Sequence, residues 1–156
     1  FGRFPHNQGK RMCHEDCCIV DRALDFMDLD DIKDKYIDEL SGGQRQRAYL
    51  AMVLAQDTDY VLLDEPLNNL DMKYSVQIMK TLSKLAKEFG KTVIIIVHDI
   101  NIAAYYSDYI AALIDGEIRY FGETNEIIKP EILEDIFGLE FEVIERNGKP
   151  FCIYYN

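Results

Sequence analysis

No stretch of this sequence reaches the roughly 20 consecutive apolar residues that a membrane-spanning helix needs. The strongest run, Val93 to Val97, has the length of a strand. The opening Phe1-Gly2-Arg3-Phe4-Pro5 leads into no long apolar segment, so no signal peptide is expected, and any membrane role is expected to come through a partner. Basic residues are in short supply: 17 Lys and Arg stand against 28 Asp and Glu, a formal net charge of -11. Such a surface repels a phosphate backbone, which sets nucleic acid aside as a partner. The one dense basic stretch, Gln44-Arg45-Gln46-Arg47, is too short for a footprint. Repeats and low-complexity linkers are missing, and cysteine occurs in no metal pattern. Cys13, Cys17 and Cys18 lie near His14 and Glu15, with Cys152 remote, but there is no second CxxC, no HxxxH and no distant paired ligand. Free thiols of a reducing compartment are the expectation; Cys13 and Cys17 on one helix face offer at most a weak adventitious site.

What is present reads as alternating helix and strand. The 156 residues, 48% of them apolar, are enough for one ordinary domain with a real core. Residues 1–12 look polar and loop-like, with Pro5, Asn7 and Gly9 as breakers. A helix is predicted next, with Val20, Ala23, Leu24 and Met27 on one face, and then an acidic connection through Asp28, Asp30 and Asp31 to Tyr36 and Leu40. Ser41 can cap a helix carrying Ala48, Ala51, Met52 and Ala55. Tyr60 to Leu63 and Thr92 to Val97 read as strands buried on both sheet faces. Between them Val76, Met79, Leu82, Leu85 and Phe89 recur at helical spacing, with Gly90 as the stop. A short helix at Ile102 to Tyr106 and a strand at Ile110 to Ile114 follow. Asp115-Gly116 then turns into Ile118 to Phe121. A helix after Pro130 carries Ile132, Leu133 and Ile136, and a second hairpin, Phe141 to Glu145 and Phe151 to Tyr155, turns at Asn147-Gly148. This order predicts an α/β fold with a parallel central sheet and C-terminal hairpins.

Three features stand at strand ends and helix starts, where such folds place their chemistry. Asp64 and Glu65 follow a strand directly. Adjacent carboxylates there repel and cost desolvation, so a cation, a proton transfer or both would account for them; a solvated turn ended by Pro66 is the plainer alternative. Ser41-Gly42-Gly43-Gln44 opens a helix, where unpaired N–H groups, the partial positive charge and the missing side chains admit an anion. An ordinary cap with flexible glycines is the alternative. His98 follows the second strand, beside the position expected for Glu65, and a histidine there is more often a structural hydrogen-bonder than a catalyst.

Taken together, LSGGQRQR, VLLDEP, NNLD and VHD in this order resemble the second half of ABC-type ATPases, firmly over residues 40–99 and loosely beyond. The resemblance implies the carboxy-terminal part of a P-loop NTPase core: residues 1–40 as part of the helical subdomain, 41–122 as the second half of the core, and 123–156 as a C-terminal extension. It also implies roles. Ser41, Gly42, Gly43 and Gln44 form the signature loop, which contacts the γ-phosphate of ATP held by an opposite subunit. Asp64 orders Mg²⁺ through water, and Glu65 is the general base. Asn69, Leu70 and Asp71 couple the two sites of a dimer, and His98 contacts the γ-phosphate. These roles fit phosphoryl transfer, in which positioning and charge neutralisation carry most of the catalysis. The opening GRFP, the PLNNLDM stretch and the closing hairpin resemble ATPase subunits of ferric-siderophore importers. That implies ATP and Mg²⁺ as cofactors, a transmembrane permease and a second ATPase subunit as partners, and a solute-binding protein indirectly. Phe1–Gly9 would lie near the permease, at the cytoplasmic face of the membrane.

One family feature is missing. No GxxxxGK[ST] occurs, so the sequence has no glycine cradle and no lysine for the β- and γ-phosphates, and no glutamine loop follows one. A piece of a longer protein accounts for this better than a degenerate relative, because the other catalytic positions are intact. Two alternatives remain: a soluble ABC protein acting on ribosomes or DNA, and a non-catalytic docking module. The former would usually show tandem cassettes, a coiled-coil insertion or a basic face, and none is seen. The purified 156-residue chain is expected to show no ATP hydrolysis above background in a phosphate-release assay; turnover that disappears in Glu65→Gln would contradict this.

Overall fold

Caps and apolar periods account for most elements of the computed structural model, which describes residues 2–7, 11–68 and 70–155. Two compact units form, Phe1–Ile96 and Val97–Asn156.

The first unit starts where a loop was expected, and that expectation is corrected. Gly2 and Arg3 are buried, and Phe4–Asn7 forms a short helix, α1. Gly2 has a packing reason: a Cβ there would stand 2.3 Å from the Met52 carbonyl oxygen and 2.8 Å from the Ala55 Cβ. Arg3 Nε donates to Asp16 Oδ1 at 2.8 Å and Arg3 Nη1 to the Ala55 carbonyl at 3.3 Å. Asp16 sits in the first turn of α2 (His14–Phe26), where its other oxygen accepts from the Cys13 amide and thiol. A charge pair inside this contact was invisible to a reading based on apolar periods.

Helix α2 packs on α3 (Gly42–Leu54) through Ala23 and Met27 on one side and Leu50, Ala51 and Ala55 on the other. Two 3₁₀ turns, Asp30–Ile32 and Ile37–Glu39, make up the acidic connection. Arg47 fastens it by donating to the carbonyls of Met27 and Asp28, and Arg45 by donating to that of Ile37. Helix α4 (Met72–Phe89) buries Ile78, Met79, Leu82 and Leu85 and ends at Gly90, whose φ of 61° is the left-handed cap expected of glycine. The buried stripe is rotated from the predicted one: Val76 and Phe89 are exposed, and Phe89 instead meets Phe26 edge-on at 5.1 Å.

Strands β1 (Tyr60–Asp64) and β2 (Thr92–Ile96) pair in parallel from Tyr60↔Thr92 to Asp64↔Ile96. The prediction of burial on both faces fails. Val61 is buried, whereas Leu62 is 70% exposed and Ile94 and Ile96 are about half exposed. Partners in a parallel ladder share a face, so Val61, Leu63, Val93 and Ile95 turn inward while Tyr60, Leu62, Ile94 and Ile96 line the open face. An apolar run shows that a strand has no polar face; it does not show that both faces are covered.

The second unit holds α5 (Ile100–Tyr106), β3 (Tyr109–Ile114), β4 (Glu117–Glu123), α6 (Thr124–Ile127), α7 (Pro130–Phe137), β5 (Glu142–Arg146) and β6 (Lys149–Ile153). As the Asp115-Gly116 signal predicts, β3 pairs antiparallel with β4, because Asp115 (φ 52°) and Gly116 (φ 82°) form a tight turn that returns the chain at once. Asn147 (φ 54°) and Gly148 (φ 72°) do the same for β5 and β6. Pro130 opens α7 and Gly138 closes it in the left-handed region. The core is Ala104, Ile128, Leu133 and Cys152, with Ile110, Phe141 and Tyr154 packed around it.

The Asp16 carboxyl is held at about 2, against an ordinary 3.8, by the Arg3 hydrogen bond first and by the Cys13 amide and thiol next. A folded-state pKa below the unfolded one stabilises the fold above the unfolded pKa and ceases to as pH falls through the folded one. Asp16→Asn should therefore lower the urea midpoint at pH 7. The gap to the parent chain should close as pH falls from 3.8 toward about 2, and a gap unchanged across that window would contradict the assignment.

Candidate functional site

Ser41, in extended backbone at φ −61° and ψ 161°, caps α3. Its hydroxyl accepts from the Gln44 amide at 3.4 Å, and the Gln44 side chain accepts from the Ser41 amide at 3.0 Å. This reciprocal box uses the N–H groups of Ser41 and Gln44 and leaves those of Gly42 and Gly43 at the helix mouth without an intrahelical acceptor. The two glycines differ in what holds them small. A Cβ on Gly43 would stand 3.1 Å from ring carbons of Tyr74, so Gly43 lets α3 approach α4. A Cβ on Gly42 would meet nothing within 4 Å, and its backbone is not left-handed. The fold therefore gives no reason for glycine at position 42. Open space over exposed amides at a helix start is what an incoming anion requires.

Asp64 ends β1 with its carboxylate exposed. Glu65 follows at φ 46°, a left-handed conformation that costs a residue with a Cβ about 1 kcal/mol or more. The sharp bend turns the two acids away from a common strand direction. Asn68 Nδ2 donates to Glu65 Oε2, and the Asn68 amide donates to the Glu65 carbonyl at 3.1 Å, closing the turn after the acids. Pro66 is buried, and its carbonyl accepts from Gln46 Nε2 at 3.1 Å, so a side chain of α3 holds the acid turn. Asp71 caps α4 by accepting from the Tyr74 amide at 3.0 Å. Asn69 lies outside the described residues; Leu70 closes a turn on the Leu67 carbonyl at 3.3 Å.

Within the first unit, then, α3 carries two fasteners. Gly43 meets Tyr74 beside the Asp71 cap, and Gln46 reaches the turn of Asp64 and Glu65. Neither Gln46 nor Tyr74 was singled out from sequence, since no motif or period marks a side chain that bonds a carbonyl or shields a glycine. His98 belongs to the second unit, exposed at the bend before α5, and is followed by Asp99, which caps that helix by accepting from the amides of Asn101 and Ile102 at 2.8 and 3.1 Å.

Among the described residues no group of three or more His, Cys, Asp or Glu is arranged to hold a metal. One exposed carboxylate suits a cation that keeps most of its waters and takes other ligands from a substrate's phosphates, as magnesium does, and does not suit zinc. Cys13, Cys17 and Cys18 are free and exposed, with the Cys18 sulfur 3.6 Å from His14 Nδ1.

A family profile described as ABC transporter matches residues 4–68. The chain is similar to the petrobactin import ATP-binding protein YclP of Bacillus subtilis (strain 168), at 52% identity over 156 residues, covering 100% of this chain and 62% of that protein. It is similar too to the petrobactin import ATP-binding protein FatE of Bacillus anthracis, at 52% identity over 99% of this chain and 61% of that one. The chain thus spans about three fifths of the length of these curated relatives. Among solved structures it resembles the inward-facing conformation of a transporter described as metal-chelate type, at a TM-score of 0.88 and 26% identity, covering 99% of this chain and 64% of that one.

If the fold does not need glycine at position 42, alanine there should help it. Gly42→Ala should stabilise the chain by up to about 1 kcal/mol through helix propensity. Gly43→Ala should gain less or lose, because the Tyr74 ring has to move. Urea unfolding of both variants measures the difference, and a destabilised Gly42→Ala chain would mean that the glycine serves the fold after all.

Proposed function

We propose that the chain is part of an ABC transporter ATP-binding protein, and that the whole protein hydrolyses ATP to drive uptake of an iron chelate of the siderophore type. The observation that carries the reading is the unexplained opening over Gly42 at the mouth of α3, tied through Gln46 to the turn that holds Asp64 and Glu65.

Each group has work that its position permits. The amides of Gly42 and Gly43, with the Ser41 hydroxyl, receive the terminal phosphate of ATP bound on a second copy; Gln44 keeps Ser41 in place through the capping box. Asp64 holds Mg²⁺ through water, and Mg²⁺ when bound neutralises charge on the phosphates. Glu65, bent away from Asp64, accepts the proton of the attacking water. Its bond from Asn68 orients the carboxylate. Asn69, Leu70 and Asp71 lie at the boundary with the second copy, and His98 donates to the terminal phosphate. Nothing in the 156 residues cradles the β- and γ-phosphates in cis, so the opposite face of the ATP belongs to residues outside this sequence.

On this reading residues 1–40 belong to the helical subdomain, 41–122 to the core and 123–156 to an extension. The subdomain receives a transmembrane permease, a solute-binding protein acts at one remove, and the protein sits peripherally on the cytoplasmic face of the membrane. No described helix is long and apolar enough to cross a membrane. The names of both petrobactin import relatives support the iron chelate.

The whole protein, assembled with its permease, tests the roles. Glu65→Gln should lower ATP turnover about 100-fold or more while ATP still binds. His98→Ala and Gly42→Ala should lower turnover without loss of folding stability. Parental turnover in Glu65→Gln would remove the general base, and with it the proposed mechanism.

A further inference from the structure

Asn101 is the one polar side chain of α5 that reaches another element of the second unit by a two-point bond. Its Nδ2 donates to the Cys152 carbonyl at 3.0 Å, and its Oδ1 accepts from the Cys152 amide at 2.7 Å. An amide side chain here takes the place of a neighbouring strand's peptide group on the free edge of β6. Cys152 pairs with Val143 across the hairpin, so the clamp fixes the whole β5–β6 pair rather than a loose tail. Cys152 is 2% exposed and packs with Ala104, Ile128 and Leu133, while Asn101 is half-buried. Burial, and after it the Asp99 carboxylate, push the Cys152 thiol up, which places the charge of the α5 cap close to the hairpin.

Helix α5 has seven residues, too few to persist without tertiary support. Its first turn is held twice over: the Asp99 carboxylate accepts the amides of Asn101 and Ile102, and the Asn101 side chain is bound to β6. His98 immediately precedes that cap, so its backbone inherits whatever order the first turn has.

We propose that Asn101 is a positioning residue: by clamping β6 it fixes the first turn of α5 and hence His98, making the C-terminal hairpin part of the histidine's support. The structural half of this stands on the second unit alone; its consequence for catalysis rests on the role given to His98 above. The hairpin is then a site from which turnover is set at a distance.

The test has two readouts. In the 156-residue chain, Asn101→Ala should release the Cys152 amide to exchange about tenfold faster or more, and should shift and broaden the His98 ring resonances. Asn101→Asp, isosteric and still an acceptor for the Cys152 amide, should give an intermediate result and serves if the alanine variant does not fold. In the whole protein the same variants should lower kcat about tenfold with KM for ATP changed less than about twofold. If His98 resonances stay fixed while Cys152 loses protection, or if Cys152 is unprotected in the parent chain, the clamp does not position the histidine. If the resonances move but neither Asn101→Ala nor His98→Ala changes turnover, the positioning stands and the catalytic role of His98 fails instead.

Discussion

The capped start of α3 is the point on which the first unit turns. Ser41 and Gln44 satisfy each other's amides, which fixes where the helix begins and which way its open N–H groups face. Everything assigned to chemistry in that unit is then placed from the same helix. Within the first turn, Gly43 admits the Tyr74 ring and brings up the start of α4 with its Asp71 cap. On the next turn Gln46 holds the Pro66 carbonyl and so the bend after Asp64 and Glu65. Arg45 and Arg47, which look like a basic patch in sequence, are spent on carbonyls of the acidic connection. A register shift of one residue in this helix would detach all of these at once.

The same economy explains why few side chains in the unit are fully buried. β1 and β2 present one apolar face to the unit's core and leave Leu62, Ile94 and Ile96 largely open. Contiguous exposed apolar surface of this kind is characteristic of an interaction face.

Elements with a local cause were legible in the sequence. Gly90 and Gly138 end helices in the left-handed region, Pro130 opens α7, and Asp115-Gly116 and Asn147-Gly148 make the tight turns their composition demands. What escaped were relations between distant residues. The loop reading of residues 1–12 missed the Arg3–Asp16 pair, because a buried charge breaks the apolar pattern that was being sought. The buried stripe of α4 was rotated because periodicity finds a face but not the neighbour that covers it. Burial of β1 and β2 was inferred from an uninterrupted apolar run and a β-branched one, which record only what a strand tolerates. The candidate site positions were picked out by motif, whereas the bond of Gln46 to the Pro66 carbonyl and the packing of Tyr74 on Gly43 are relations that no motif records.

A residue's local cost, set against what its own chain returns for it, separates fold from function more sharply than position does. Gly2 is explained by a contact at 2.3 Å that any side chain would violate, and Gly43 by a 3.1 Å approach that the Tyr74 ring would have to yield to. Gly42 gives up helix propensity and receives no contact in exchange. Glu65 accepts a left-handed backbone that glycine or asparagine would adopt more cheaply. These two costs fall within the structure held together by Gln46, at the open mouth of a helix and at the end of a strand. Asp28, Asp57, Asp115 and Asn147 share the left-handed backbone region of Glu65, and Asn68 closes the turn at Glu65, so Gly42 is the position that the described contacts leave unexplained. On the proposed reading, a negatively charged group entering at the amides of Gly42 would use that opening and Glu65 would accept a proton at the other end of the Gln46 tether, which is the division of labour that phosphoryl transfer needs.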